Sequence, residues 1–516
     1  MLHLINPYKK EILLTCLSAL LVVLAFPKVG MSGLIWVALI PLFFVLHQKT
    51  SKQAAAFGFL LGTLISFGAF YWVIHTLREF GHLPYVVCGI LFLLFALICN
   101  LHIALFTYLL NRFPIRLPLT LWVPLLYTLV EFFFPQIFHW YLGACLYKKL
   151  WIIQIADLTG VHGVTFLVVL VNIFIYELIR WIKKDTEIFP TLGLITTLLC
   201  LLFSIFYSSI RLRDLREAMK TSPSVKAALV QTNVGNLEKF ESSKGYGYAV
   251  DRVRAINEEL VLKAAKEKKL DLIVLPETAV PGYFSEDKPL NREIMFNLSS
   301  KASVPVFFGG YNKTLNTHPN QIKIYNSAFL ISNYFQILGG YNKNNLLIFG
   351  EYLPFLGQFS FIKKLLPEIG DFSPGTKTEV MSLTKDLSLV PLICFEGLLP
   401  NFVRKFVKLG GRFIVTITND SWFGNTPCPY QHLMLHVWRA IENRTPMLRC
   451  ANTGVSAFID LTGKIQSKTK IFKEAILIDT VSVINQHSFY TLYGNVFIYL
   501  LLLILSVLYI RNYYVK

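Results

Sequence analysis

Three segments of this sequence each end an apolar run in a side chain able to do chemistry. Leu272-Ile273-Val274-Leu275-Pro276-Glu277 delivers a carboxylate from what reads as a buried strand. Gly340-Tyr341-Asn342-Lys343 delivers an ammonium, and Val390-Pro391-Leu392-Ile393-Cys394 a thiol with Glu396 two residues on. Strand ends are where α/β folds gather their sites. Apolar neighbours should raise the carboxyl pKa of Glu277, which suits a general base.

Taken singly, each residue has a plainer reading: a structural acid, a solvated lysine and a small buried hydrophobe. Together they supply a nucleophile, a base to deprotonate it and a fixed cation for developing negative charge, which is a set for acyl transfer. Serine chemistry is disfavoured because the chain has no G-x-S-x-G elbow, and its histidines lie outside comparable strand-end contexts. The 8 cysteines include no C-x-x-C and no Cys/His pair at metal-ligand spacing, so no metal is expected. Cys428 and Cys450 are read as thiols.

These residues need a frame, and residues 222–486 provide one by pattern. Short β-branched runs alternate there with charged amphipathic stretches, as in a soluble α/β domain. Strands are expected at Ser224–Gln231, Leu270–Leu275, Val304–Gly309, Ile322–Ile331, Phe335–Gly340, Leu387–Cys394 and Arg412–Thr418, and helices at Asp251–Lys268 and Gln431–Asn443.

The rest of the chain is different. Over all 516 residues, 54% are hydrophobic and 16% charged, and the mean hydropathy is +0.52, more apolar surface than a single soluble core would hide. Apolar runs near 11–26, 32–47, 54–74, 85–110, 118–134, 162–182, 190–209 and 495–511 predict about eight membrane spans. The domains expected are membrane helices over 1–215, a catalytic domain over 222–486 and a final span within 490–516. Lys9, Lys10, Lys49, Lys52, Arg112, Arg116, Arg180, Lys183, Lys184, Arg511 and Lys516 fall on one side if the spans alternate. That asymmetry puts both termini in the cytoplasm and the catalytic domain outside. The net charge of +18 thus marks loops, and no basic stripe with interleaved aromatics suggests nucleic acid. Glu131 is a notable acid within an expected span.

The order Glu277, Lys343, Cys394 in these contexts resembles the carbon-nitrogen hydrolase (nitrilase) superfamily, and Thr418-Asn419-Asp420-Ser421-Trp422-Phe423-Gly424 resembles its strand after the cysteine. Pro391 to Glu396, Phe349 to Pro354, Tyr71-Trp72-Val73, Gly160 to Phe166 and Val230-Gln231-Thr232-Asn233 are similar to the apolipoprotein N-acyltransferase family within it. Phe395 stands where that family commonly has tyrosine, Gly235 where it has proline and Phe240 where it has tryptophan.

The resemblance implies an αββα sandwich outside a multi-pass helical domain in a bacterial inner membrane, with a Glu-Lys-Cys triad and no cofactor. It implies a phospholipid acyl donor and, as acceptor, the α-amine of the diacylglyceryl-cysteine of an apolipoprotein. A monomer is expected. Glu351 and Glu396 are supporting carboxylates, and Trp72, Phe355 and Phe395 are substrate-binding candidates. Tyr71, Trp72, His139, Trp140 and Tyr141 read first as an interfacial aromatic belt. The apolar stretch Leu353–Gly375 is either a membrane-dipping lid over the thioester or a loop packed on the domain. The nearest alternative is a membrane-tethered nitrilase-type amidase using water as acceptor; a transporter or receptor with a degenerate outer domain fits the intact triad less well.

Overall fold

The structure is a computed structural model, and it describes residues 8–235, 247–267, 269–284, 289–315, 322–348, 350–352 and 372–514. Two compact units divide the chain: Met1–Ile74, Pro84–Asp214 and Leu492–Lys516 in one, His75–Leu83 and Leu215–Thr491 in the other.

The first unit is helical. Among the described residues four helices are long and apolar enough to cross a membrane: Tyr85–Arg112, Val161–Ile182, Thr191–Thr221 and Val496–Tyr514. The pair Ser51–Ala69 and Trp72–Glu79, bent by 57°, makes a fifth if counted as one span. Three other apolar runs give shorter pieces. Lys9–Ala25 is a helix of 17 residues, and Leu119–Phe133 has 15 with Pro124 inside. The run near 32–47 breaks into a 3-10 turn, Ser32–Trp36, and a helix, Ile40–Leu46.

Helix packing within this unit depends on small residues, because lipid supplies no hydrophobic drive between helices. Gly58 and Gly62 let the helix Ser51–Ala69 lie against Leu101–Arg112: a Cβ at Gly58 would stand 2.8 Å from the Ile103 carbonyl oxygen, and one at Gly62 2.8 Å from that of Asn100. Some of its buried polar groups are joined to one another. Asn100 donates to Ser66 Oγ (2.8 Å) and accepts from Trp140 Nε1 (2.8 Å). Glu131 accepts from the Leu142 N–H at 2.8 Å and meets His162 Nδ1 at 3.2 Å. Trp140 and Tyr141, expected in a belt, are both buried.

Among the described residues the second unit holds twelve strands: β1 Ser224–Gln231, β2 Leu272–Val274, β3 Val306–Leu315, β4 Ile322–Ile331, β5 Ile337–Asn342, β6 Met381–Ser382, β7 Ser388–Ile393, β8 Phe413–Thr418, β9 Met447–Ala451, β10 Ala457–Ile459, β11 Ile465–Lys468 and β12 Ala475–Ser482. They form two six-stranded sheets, ordered β12-β1-β2-β3-β4-β5 and β11-β10-β9-β8-β7-β6. In each, the central strands are parallel: β1, β2 and β3 in one, β7, β8 and β9 in the other. Strands covered on both faces carry unbroken apolar runs, and β8 and β9 are buried at every position.

On one sheet, Leu260, Val261 and Ala264 from the helix Gly247–Ala265 and Met295, Leu298 and Ala302 from Pro289–Ala302 share a core with Ala228, Ile273, Val306 and Phe308. The helices Pro400–Lys408 and Cys428–Asn443 accompany the other, the latter buried along nearly its whole length. Between the sheets, Cys450 Sγ on β9 donates to the carbonyls of Val230 (3.4 Å) and Val274 (3.3 Å). The layering is helix, sheet, sheet, helix.

Candidate active site

Strand ends aim the three reactive side chains, two from parallel strands and one from the antiparallel edge strand β5. Glu277 follows β2, Lys343 follows β5 and Cys394 follows β7, so the carboxylate and ammonium come from one sheet and the thiol from the other. Two of these ends have unusual backbones: Thr278, just after Glu277, has φ +52°, and Cys394 itself φ +53°. A side chain other than glycine pays about 1–2 kcal/mol for that conformation, which persists only where surrounding contacts fix it. At Cys394 it starts the 3-10 turn Cys394–Leu398 and turns the sulfur off the strand axis. Gly309 on β3 permits the close passage of the Glu277 backbone, since a Cβ there would stand 2.7 Å from the Glu277 Cα.

Glu277 is buried, and its carboxylate is held at both oxygens. Asn326 Nδ2 on β4 donates to Oε1 (2.8 Å), and the Asn419 N–H donates to Oε2 (2.8 Å). The second hydrogen of the same Asn326 amide goes to Glu351 Oε1 (2.8 Å). Asn326 Oδ1, at the amide's other end, is buried without a hydrogen-bond partner among the described residues. Glu351 Oε2 pairs with Lys343 Nζ at 2.6 Å and accepts the Leu347 N–H at 2.8 Å. One chain of hydrogen bonds therefore runs from Glu277 through Asn326 and Glu351 to Lys343.

Glu396 is fully buried and takes four donors: Tyr341 Oη (2.6 Å), the N–H groups of Asn344 (2.7 Å) and Asn345 (3.0 Å), and that of Ile393 (3.0 Å). It thereby ties the segment carrying Lys343 to the turn carrying Cys394, across the two sheets. The Phe395 side chain is half-buried beside the sulfur-bearing residue.

Charge reports the proximity of these groups. Burial pushes the carboxyl of Glu277 up, against the pull of Lys343. Burial alone would lower the ammonium of Lys343, but Glu351, Cys394 and Glu277 outweigh it and hold the proton firmly. The thiol of Cys394 is pushed up to about 12 by burial and by Glu277, with Lys343 opposing. Burial thus keeps the proton on sulfur, with Lys343 as the opposing cation. Burial raises the Glu396 carboxyl to about 7, against Lys343 and its donors.

Of the remaining expected residues, Trp72 is buried in the helical unit, edge-on to Phe138 (5.4 Å) and Phe70 (6.2 Å). Phe355 and most of Leu353–Gly375 lie outside the described residues, as does Phe240. Cys428 and Cys450 are not joined to each other in a disulfide. Asn326, Tyr341 and Asn419 were not anticipated. The available signal was an amide in the middle of the apolar strand Ile324-Tyr325-Asn326-Ser327-Ala328-Phe329, where an unpaired amide is costly.

Residues 18–174 match the apolipoprotein N-acyltransferase N-terminal domain, and residues 226–484 match carbon-nitrogen hydrolase. An apolipoprotein N-acyltransferase of Geobacter metallireducens is 35% identical over 496 residues, 95% of this chain and 92% of that one. The chain belongs to the apolipoprotein N-acyltransferase family. A second member, from Bdellovibrio bacteriovorus, is 33% identical over 84% of this chain and 81% of its own length. Among solved structures, a carbon-nitrogen hydrolase from Helicobacter pylori G27 aligns at TM-score 0.37 and 17% identity, over 50% of this chain and 90% of that one. The chain is accordingly an acyltransferase with a carbon-nitrogen hydrolase domain and several apolar helices suited to a membrane.

Proposed function

We propose that this protein moves a fatty acyl chain from a phospholipid to the N-terminal α-amine of diacylglyceryl-modified apolipoproteins through a thioester on Cys394. Glu277 takes the thiol proton, and sulfur attacks the phospholipid ester carbonyl. Lys343 and a backbone N–H stabilise the oxyanion. The C–O bond breaks, the lysophospholipid alkoxide takes the proton from Glu277, and the acyl chain stays on sulfur. The acceptor amine then attacks the thioester as Glu277 removes its proton, so a C–N bond forms, the C–S bond breaks and the proton returns to the thiol. Glu351 and Glu396 act through Lys343 and the Cys394 turn, while Trp72, Phe355 and Phe395 contact the lipid substrates.

What supports the reading most is the arrival of carboxylate, ammonium and thiol at strand ends of two facing sheets, joined by Asn326, Glu351 and Glu396. Apolar helices explain why such a site needs an anchor: both substrates keep their acyl chains in the bilayer. In this reading about eight spans over 1–215 and 490–516 hold a periplasmic domain of 222–486 on the bacterial inner membrane, with both termini cytoplasmic and the molecule monomeric. The skew of Lys and Arg between alternate loops supports that topology.

The test is intact mass of the full-length protein in detergent after incubation with a defined phospholipid, then with a diacylglyceryl lipopeptide. One acyl mass should appear on Cys394 and then move to the peptide amine. Full transfer by Cys394→Ala would overturn the assignment. Release of fatty acid with no N-acyl peptide would favour the amidase.

A further inference from the structure

Asn452, the residue after β9, has no exposed surface and is hydrogen-bonded at every polar atom it carries. Its Nδ2 donates to the Val234 carbonyl (2.8 Å) and to Asn419 Oδ1 (3.0 Å). Its Oδ1 accepts from the Thr232 hydroxyl (2.9 Å) and the Val234 N–H (3.0 Å). The amide has only this orientation, because the Val234 N–H can only donate and the Val234 carbonyl can only accept. The backbone of Asn452 accepts the Asn233 N–H at 3.0 Å and donates to the Thr418 carbonyl at 3.0 Å. Three strand ends therefore meet on one residue: β1 of one sheet, β8 and β9 of the other.

Thr418 and Asn419 share a peptide group, and both of its polar ends are taken. The carbonyl accepts from the Asn452 N–H, and the N–H donates to Glu277 Oε2 at 2.8 Å. Bonds in such a chain polarise one another, so a peptide held at its carbonyl is a stronger donor at its N–H. Asn452 also holds the residue that carries that N–H, since Asn419 Oδ1 accepts its Nδ2 together with the Ser421 hydroxyl (2.6 Å). One buried residue thus fixes the peptide on either side of the donor. The Asn419 N–H in turn favours the ionised form of Glu277, which burial opposes.

We propose that Asn452 is a positioning residue for the base: it holds the Thr418 carbonyl and the Asn419 side chain so that the Asn419 N–H stays on Glu277 Oε2, and through Thr232 and Val234 it ties that peptide to the sheet that carries Glu277. The proposal rests on Glu277 being the base of the reaction given above. The charged and titratable groups facing the Glu277 carboxyl are Lys343, Glu351, Cys394 and Tyr311. Asn452 is bonded to Thr232, Asn233, Val234, Thr418 and Asn419 instead, so it reaches the base through the peptide. Its backbone bond to Thr418 survives substitution, and the side chain is what a variant removes. Without that side chain Asn419 loses its anchor and its N–H leaves the carboxylate.

The experiment is single-turnover acylation of Cys394 by p-nitrophenyl butyrate across the acid range in the full-length protein, read by mass spectrometry of the Cys394 peptide. This soluble donor keeps the readout independent of the phospholipid. Asn452→Leu should move the acid limb up by about one pH unit, because a hydrogen bond that favours the ionised carboxylate is lost. On the acid side of the limb that is about tenfold slower acylation, with the plateau little changed. If Asn452→Leu does not fold, Asn419→Ala, which removes the oxygen that Nδ2 holds, is read for the same shift. Ser299→Ala removes a buried bond to the Val304 carbonyl (2.9 Å) in the outer helix layer, and should lower the unfolding midpoint while leaving the limb in place. A limb that stays put in the folded Asn452 or Asn419 variant overturns the proposal, and so does an equal shift in Ser299→Ala. An error in the base itself would appear separately, as acylation at the wild-type rate in Glu277→Gln.

Discussion

Asn326→Leu isolates the amide that joins the two carboxylates. Leucine has nearly the same volume, leaves the β4 backbone free to accept from the Lys343 N–H at 2.8 Å, and gives up no bond at Oδ1, which has no partner among the described residues. What disappears is one charge-assisted hydrogen bond to Glu277 and one to Glu351. Such a bond contributes roughly 1.5–3 kcal/mol, and it favours only the ionised carboxylate. At about 1.4 kcal/mol per unit, the Glu277 carboxyl, already raised by burial, should rise by about one to two further units. Because the base must be ionised to accept the thiol proton, the acid limb of thioester formation should move upward in pH by that amount. The assay is single-turnover acylation of Cys394 from pH 4 to 9, followed by intact mass. An acid limb that stays in place or moves down would refute the reasoning, because it would mean that Asn326 does not stabilise the ionised base.

Other changes test neighbouring parts of the argument. Glu351→Gln should remove the 2.6 Å partner of Lys343 and slow acylation at least tenfold at every pH, with binding of phospholipid little changed; equal rates would remove Glu351 from the site. Tyr341→Phe deletes one 2.6 Å bond to buried Glu396 and should cost roughly 1.5–3 kcal/mol, read as a lower unfolding midpoint. The raised Glu396 carboxyl stabilises the fold fully below its ordinary titration, and that contribution is lost as pH rises through about 7. The stability gap between wild type and Glu396→Gln should therefore narrow from pH 5 to pH 8, and a widening gap would contradict the assignment. In the helical unit, Gly58→Val would force a side chain against the Ile103 carbonyl and should lower the midpoint in detergent by an amount matching roughly 1–3 kcal/mol or more.

Strands that carry the site were readable because strands covered on both faces carry apolar, β-branched runs. Ser224–Gln231 and Ile322–Ile331 have the boundaries expected from pattern alone, and β7 and β8 lie within a residue of theirs. β9 was missed because buried Arg449 interrupts its apolar pattern, and that arginine is tolerable only because Asp420 arrives from another strand end. β10, β11 and the two-residue β6 are too short to give a period. Helix Pro400–Lys408 was masked by its basic residues, although Val403, Phe406 and Val407 form a buried stripe. Hydropathy located every apolar run, but it counts side chains rather than hydrogen bonds. It could not tell that the run near 32–47 is broken or that the one after Ser51 bends by 57°.

Residue identity and order determined the chemistry available to this protein: a thiol, a carboxylate and an ammonium at the ends of apolar strands, within a chain too apolar to be soluble throughout. Tertiary structure decided how those groups are held. Long-range hydrogen bonds make Asn326 a bridge between carboxylates of one sheet and Glu396 a tie between the two sheets. Such bonds join residues 25 to 55 positions apart, and a linear pattern carries no term for contacts that only close when the sheets pack.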